Sequence, residues 1–398
     1  MSEKTSLFVL KRLQYFLILS ILATGTAYGQ EKITMDGYIS NTFSLYGIED
    51  QSLWENSFMD RFNFMVYPTH WLTGTVQFRS RIITGNTLKK IPGYSDGLGM
   101  DPGYMNMTLL ADGNLGDNTG FALTTTIDRL WLQLTFGNLE IIAGRQRINW
   151  GQTLVWNPND IFNSYSYFDV DYPERPGSDA VRLQYYTGNA STIELVAKID
   201  SSNRVTTAGY FRFNTLGFDI QMLGGVYQEE DLILGTGWSG NLGPTAFRGE
   251  LSYFRDLSQF TDTTGYLMAS TGFDYTFSNS LMIQVEGLYS ALAKEMDMNS
   301  FLMFYGGNLD VKTLGFTPWT FFLNVSYPLT PLLTGSFASI WYPQWDGYFL
   351  GPSLDLSIKS NMALSLILQH FSAKFENSSG SPIRSNNTFG FLRFKWNF

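Results

Sequence analysis

From about Ile33 onward, hydrophobic and polar positions alternate with period two, in segments of about 9 to 14 residues. The first reads "ITMDGYISNTFSLY"; "SFMDRFNFMVYP" returns from it, and a "PTH" turn leads into "WLTGTVQFRSRIIT". "TTIDRLWLQLTF" and "NLEIIAGRQRINWG" form a further pair around Gly137-Asn138. Tight turns alternate with longer polar connections. The turns fall at Gly188-Asn189 and at residues 214–217, 241–244, 278–280, 328–331 and 359–361. The connections cover residues 49–56, 85–123, 151–179, 256–264, 293–315 and 376–387, with others near Ser201, Glu229 and Gln344-Trp345. The count is about 18 segments, with 16 the next best, and both ends fall on the short-turn side. These regularities predict an all-β fold: a closed antiparallel transmembrane β-barrel with short periplasmic turns and long extracellular loops. No helical periodicity persists, and no repeat appears beyond the hairpin rhythm.

The last segment, "NTFGFLRFKWNF", separates its faces sharply. Gly390, Leu392, Phe394, Trp396 and Phe398 share one side; Phe389, Phe391, Arg393, Lys395 and Asn397 share the other. In its aromatic terminus and two-sided strand the chain resembles Gram-negative outer-membrane β-barrels. That resemblance implies that Phe398 serves as an insertion signal for the barrel-assembly machinery, and that the wall contacts outer-membrane lipid and lipopolysaccharide. A secreted β-sandwich would instead leave rows such as Leu130, Leu132, Leu134 and Phe136 facing water. The run "GRQRINWGQ…WNPNDIFN" is also similar to segments of porin-like and alginate-exporter-like barrels. This similarity implies Arg145 and Arg147 as pore-lining cations and carries no particular substrate with it.

Composition agrees with a wall that is wet on one side. Charged residues are 15% of the 398 and aromatics 16%, yet the mean hydropathy is −0.07. Residues 1–29 read as a cleaved secretory signal peptide: Lys11-Arg12, an apolar run from about Leu13 to Ala23, then Ala27-Tyr28-Gly29. Residues 30–398 then form a single barrel domain. With no cysteine there is no disulfide framework and no thiolate chemistry, and a net charge of −9 argues against a nucleic-acid partner.

Where the charges point follows from cost. An arginine on the lipid face near mid-depth costs about 2–4 kcal/mol, so two on one strand would rival the net stability of a protein. The same phase applied throughout sends Arg61, Arg79, Arg81, Arg129, Arg145, Arg147 and Arg182 into the lumen, joined by Arg393 and Lys395 where the barrel closes. Later strands supply acids to the lumen: Glu194, Asp219, Glu250, Asp274, Glu286 and Asp355. The expectation is one basic wall facing a mixed-to-acidic one, a field that would align dipolar or anionic solutes, with cross-lumen ion pairing as the structural alternative. The loop at residues 151–179 is rich in turn formers and aromatics. Trp156, Asn157, Asp160, Tyr165, Asp169 and Tyr172 are its candidate constriction residues, the alternative being a packed external cap.

Catalytic chemistry is poorly supplied. His70 sits in a tight turn and His370 on a leucine-lined face, with no nucleophile motif in sight. Neither a metal site nor a cofactor is expected. The favoured reading is a passive porin-type channel for small hydrophilic solutes, anions among them. A substrate-specific exporter or facilitator for polysaccharide or carboxylate is one alternative, and a non-conducting structural or adhesive barrel the other.

Overall fold

The computed structural model describes residues 32–48, 51–101, 103–163, 174–261, 264–292, 310–376 and 382–398. The expected signal peptide and the loop residues Tyr165, Asp169 and Tyr172 lie outside the described residues. The first strands are β1 (Ile33–Ile48), β2 (Gln51–Thr69), β3 (Leu72–Gly85), β4 (Thr108–Asn114), β5 (Gly120–Phe136) and β6 (Leu139–Gln146). After a long excursion come β7 (Ser178–Gly188), β8 (Ser191–Ile199), β9 (Val205–Thr215), β10 (Phe218–Tyr227), β11 (Asp231–Leu242) and β12 (Thr245–Asp256). The last are β13 (Tyr266–Thr276), β14 (Met282–Ser290), β15 (Trp319–Thr330), β16 (Leu333–Tyr342), β17 (Gly347–Lys359), β18 (Met362–Glu376) and β19 (Pro382–Asn397).

Each pairs antiparallel with its neighbours, and β19 closes on β1 from Tyr38↔Asn397 to Ile48↔Asn387. The wall is an 18-strand closed barrel, and β4 is the additional strand. The tight turns fall where turn formers interrupt the alternation, for instance between Leu242 and Thr245 and between Lys359 and Met362. The connection after β1 is shorter than expected, because the strands continue to Ile48 and resume at Gln51.

The side-chain period of two sorts the residues. Leu130, Leu132 and Phe136 on β5, Leu354 and Leu356 on β17, and Leu366 and Leu368 on β18 are exposed on the outside. No helix among the described residues is long and apolar enough to cross a membrane. In a bilayer a closed barrel of strands leaves no unpaired edge, which is the condition for crossing without helices. Stacked aromatic pairs mark the outer surface toward both strand ends: Phe43 with Trp54, and Trp71 with Phe136.

One seam departs from this regularity. The lower half of β5 pairs with β6 up to Leu130↔Arg145, but its upper half, from Gly120 to Thr126, pairs with β4. The chain leaves the wall after Gln146, and β4 with its preceding segment patches the gap; Gly103 bridges to Asp200 beyond β8. Gly144 makes the departure possible. Its φ of 118° is closed to L side chains, and a Cβ there would lie 2.2 Å from the Leu130 carbonyl oxygen.

The expected pore-lining role of Arg145 fails at this seam. Its side chain is buried, its Nε and Nη2 donate to the Asp179 carboxylate at 2.8 and 3.0 Å, and Nη1 donates to Asp101 at 2.8 Å. Nη1 also reaches the Ile127 carbonyl of β5, and Nη2 the Met105 carbonyl. The guanidinium thus replaces ladder hydrogen bonds that β6 no longer makes. Arg145 and Arg147 do not share a strand face, because β6 ends between them.

Candidate functional site

The segment at residues 147–163 runs inside the barrel, and two carboxylates of the opposite wall hold it there. Glu250 on β12 accepts the backbone N–H groups of Gln152, Thr153 (2.9 Å) and Asn159 (2.8 Å). Glu286 on β14 accepts three consecutive N–H groups, those of Leu154 (2.9 Å), Val155 (3.1 Å) and Trp156 (2.7 Å). Irregular backbone inside a barrel must find partners for its amides, and successive amides form an anion-binding nest that a carboxylate fills. Further ties run along the same wall. Gln221 donates to the Trp150 carbonyl, Ser252 to the Pro158 carbonyl, Asn159 to the Thr236 carbonyl and Lys198 to the Phe162 carbonyl.

Apolar packing seals these ties from water. Trp150 stacks on Tyr210 at 4.9 Å between centroids and meets Phe162 edge-on at 4.8 Å, while its Nε1 donates to Glu194. Ile148, Val155, Trp156 and Ile161 join wall residues such as Val196, Leu223, Phe254 and Leu288 in one buried cluster. Of the described candidate constriction residues, Trp156, Asn157 and Asp160 are all buried in this loop. Burial pushes the Asp160 carboxyl up to about 6, against the lowering influence of Arg175 and the Trp150 amide.

This arrangement changes the reading of the acids. Glu194, Glu250 and Glu286 are buried beneath the chain and do not face an open lumen. Glu194 pairs with Arg182 through two bonds of 2.8 and 2.9 Å, and Asp274 pairs with Arg248. Asp219 accepts from Asn214 near a turn, and the exposed Asp355 accepts from Ser365 at 2.5 Å. Alternation puts these three glutamates on the inner phase and does not say what covers them.

On the other side the lumen keeps space. A cavity of about 440 Å³ is lined by Arg61, Arg129, Arg147 and Lys395, with Asp36, Tyr38, Asn63, Gln77, Glu174 and Asn397 between them. Arg61 is fixed by Asp128 (2.5 Å), Asn63 (3.0 Å) and Gln77 (2.8 Å). Arg129 donates to the Glu174 and Arg175 carbonyls, tying the returning end of the long loop to β5. Lys395 lies over the Tyr38 ring at 3.8 Å, and the Tyr38 hydroxyl donates to Glu174 at 3.1 Å. Arg147 is exposed and has no ion pair among the described residues. Arg79 approaches Asp128 at 3.9 Å; Arg81, Arg182 and Arg393 do not line this cavity.

Asp128 was not anticipated. A register shift opposite Gln77 and Phe78 inserts one extra residue into β5, so Asp128 and Arg129, adjacent in sequence, are both buried on the inner side. His370, the one histidine in a strand, meets the Thr388 hydroxyl at 2.8 Å and lies beside Tyr348.

Comparison with known proteins gives a fold and no closer kinship. No family model matches the chain, and no curated protein matches it. Among solved structures, Acinetobacter baumannii OccAB1 aligns with a TM-score of 0.58 at 9% identity, covering 94% of this chain and 99% of the other. Pseudomonas aeruginosa OccK8 (OprE) aligns at 0.57 with 11% identity, covering 94% and 99%. Pseudomonas aeruginosa OccD3 (OpdP) aligns at 0.54 with 10% identity, covering 94% and 93%. The likeness runs over nearly the whole length of each and concerns the barrel architecture.

Proposed function

We propose that this chain is an integral outer-membrane channel through which small hydrophilic solutes diffuse passively, with anions favoured over cations. The apolar exterior and closed strand ladder suit a lipid bilayer. The observation that carries the reading is the grouping of Arg61, Arg129, Arg147 and Lys395 around one cavity, beside an inward-folded loop held to the wall by Glu250 and Glu286. Fixed cations in a low-dielectric tunnel raise the local concentration of anions, and Asp36 and Glu174 among them would orient a solute that carries both signs. In this reading residues 147–163 narrow the pore and Arg147 is its exposed cation.

Planar-bilayer recordings test it. Under a salt gradient the wild-type reversal potential should report anion preference, and Arg147→Glu should move it toward cations. No single-channel conductance from folded protein, or a reversal potential unmoved by Arg147→Glu, would remove the basis for the proposal.

A further inference from the structure

The loop that returns to the wall at β7 carries a carboxylate into the basic cavity, and its backbone there is fixed from three sides. Arg129 on β5 donates to the Glu174 and Arg175 carbonyls at 2.9 and 2.8 Å. Asn163 donates to the Pro176 carbonyl at 2.6 Å, and the Arg175 guanidinium reaches Asp160 at 3.6 Å. From this fixed stretch the Glu174 side chain joins the cavity lining.

The side chain itself is loosely held. Its Oε2 accepts one hydrogen bond, from the Tyr38 hydroxyl at 3.1 Å, and it forms no ion pair among the described residues. Asp128 and Asp179, by contrast, are bonded directly to Arg61 and Arg145. Asp36, the other acid of the lining, stands on the wall itself near the start of β1 and accepts from Asn63 at 2.6 Å. Lys395 lies over the ring of the same Tyr38 at 3.8 Å. Neither Lys395 nor Arg147 has an ion pair among the described residues, although both line the cavity with Glu174. An acid on a mobile arm thus rests on a neutral phenol while two cations beside it stay unpaired.

We infer that Glu174 is a tethered competitor: its carboxylate occupies, on Tyr38 and beside Lys395 and Arg147, the position that a passing anion takes. The inference rests on the anion-conducting reading above and adds what limits an anion's stay. Cations fixed in a low-dielectric tunnel hold an anion firmly, and conduction needs binding weak enough for it to leave. An entering anion must first displace the arm from Tyr38. The apparent affinity is then reduced in proportion to the fraction of time the arm leaves the site free. Because the backbone is fixed, the arm returns to the same place after each passage. While displaced it stays in the cavity, where it meets the cationic end of a solute that carries both signs.

Planar-bilayer conductance measured over a range of potassium chloride concentrations tests this, with heat-modifiability on gels to verify folded barrels. Glu174→Ala removes the arm. Glu174→Asp keeps the charge but draws it back by one methylene, off Tyr38. Both variants should lower the half-saturating chloride concentration several-fold. The inference is overturned if Glu174→Ala leaves that concentration unaltered. It is equally overturned if Glu174→Asp matches wild type while Glu174→Ala differs, since Glu174 would then act as a fixed charge without competing. A conducting wild type with no anion preference removes the anion-conducting reading alone, because the difference between wild type and the variants still decides the competitor. A barrel that does not conduct at all overturns both.

Discussion

The inner faces of β1, β2, β5 and β19 leave room for water between their cations, whereas those from β8 to β14 are covered by the chain itself. Both arcs are built from the same alternating strands, and both send charges inward. On the covered side Glu250 and Glu286 accept backbone amides of the loop, Lys198 donates to its Phe162 carbonyl, and aromatic packing keeps water away from these ties. On the open side the cations are arginines and a lysine held by side chains and carbonyls, with Arg147 left facing the cavity. The difference shows how each sign ties the inserted loop: carboxylates accept its N–H groups, whereas Lys198 and Arg129 donate to its carbonyls. A carboxylate can satisfy an inserted loop's orphaned N–H groups, and a guanidinium cannot.

That contrast can be broken from the covered side first. Replacing Glu250 and Glu286 together by alanine leaves six amides without acceptors. It should cost about 3–5 kcal/mol at each site and release the loop. Chemical unfolding in detergent should reveal the loss, and single-channel conductance should rise. Unchanged conductance would mean the loop is held by packing alone. Trp150→Ala removes the stack on Tyr210 and should cost about 3–5 kcal/mol in the same unfolding assay. Gly144→Ala tests the seam where the loop leaves the wall; strain at its positive φ should cost about 1–3 kcal/mol.

A smaller effect is expected from Asp160. Its folded value, about 6, lies above the ordinary aspartate range because burial disfavours the charged form. Its contribution to stability is therefore fully present at acidic pH and is lost as pH rises through about 6. Unfolding midpoints measured across pH 4 to 7 should fall over that window, and Asp160→Asn should flatten the curve. On the open side Arg147→Glu should change stability by no more than about 0.5 kcal/mol, since it is exposed and makes no ion pair among the described residues. A large loss of stability there would mean that the two arcs are less different than the geometry implies.

Much of the architecture could be read directly. Turn formers at Gly137-Asn138 and Gly188-Asn189, period-two alternation and the two-faced final strand led to the barrel and to its strand count, because each is a local property of a few adjacent residues. Alternation also placed Arg61, Arg129 and Lys395 with the inner rows. It failed at Arg145 and at Asp128, where a glycine at positive φ and an inserted residue break the period that the inference relies on. β4 escaped notice because seven residues inside a long connection form a strand only when the β5 edge is there to pair with.

What the amino-acid order determined by itself was which side of the wall most residues occupy, since a strand's pleat depends on its immediate neighbours alone. What lies against each side was decided only by the closed barrel. Glu286 meets Trp156 across 130 positions of chain, and Glu250 meets Asn159 across 91. No local pattern encodes contacts of that span. They arise once curvature has brought opposite walls within reach of a single loop, and they turn an apparently acidic lining into the anchor of an inward-folded segment.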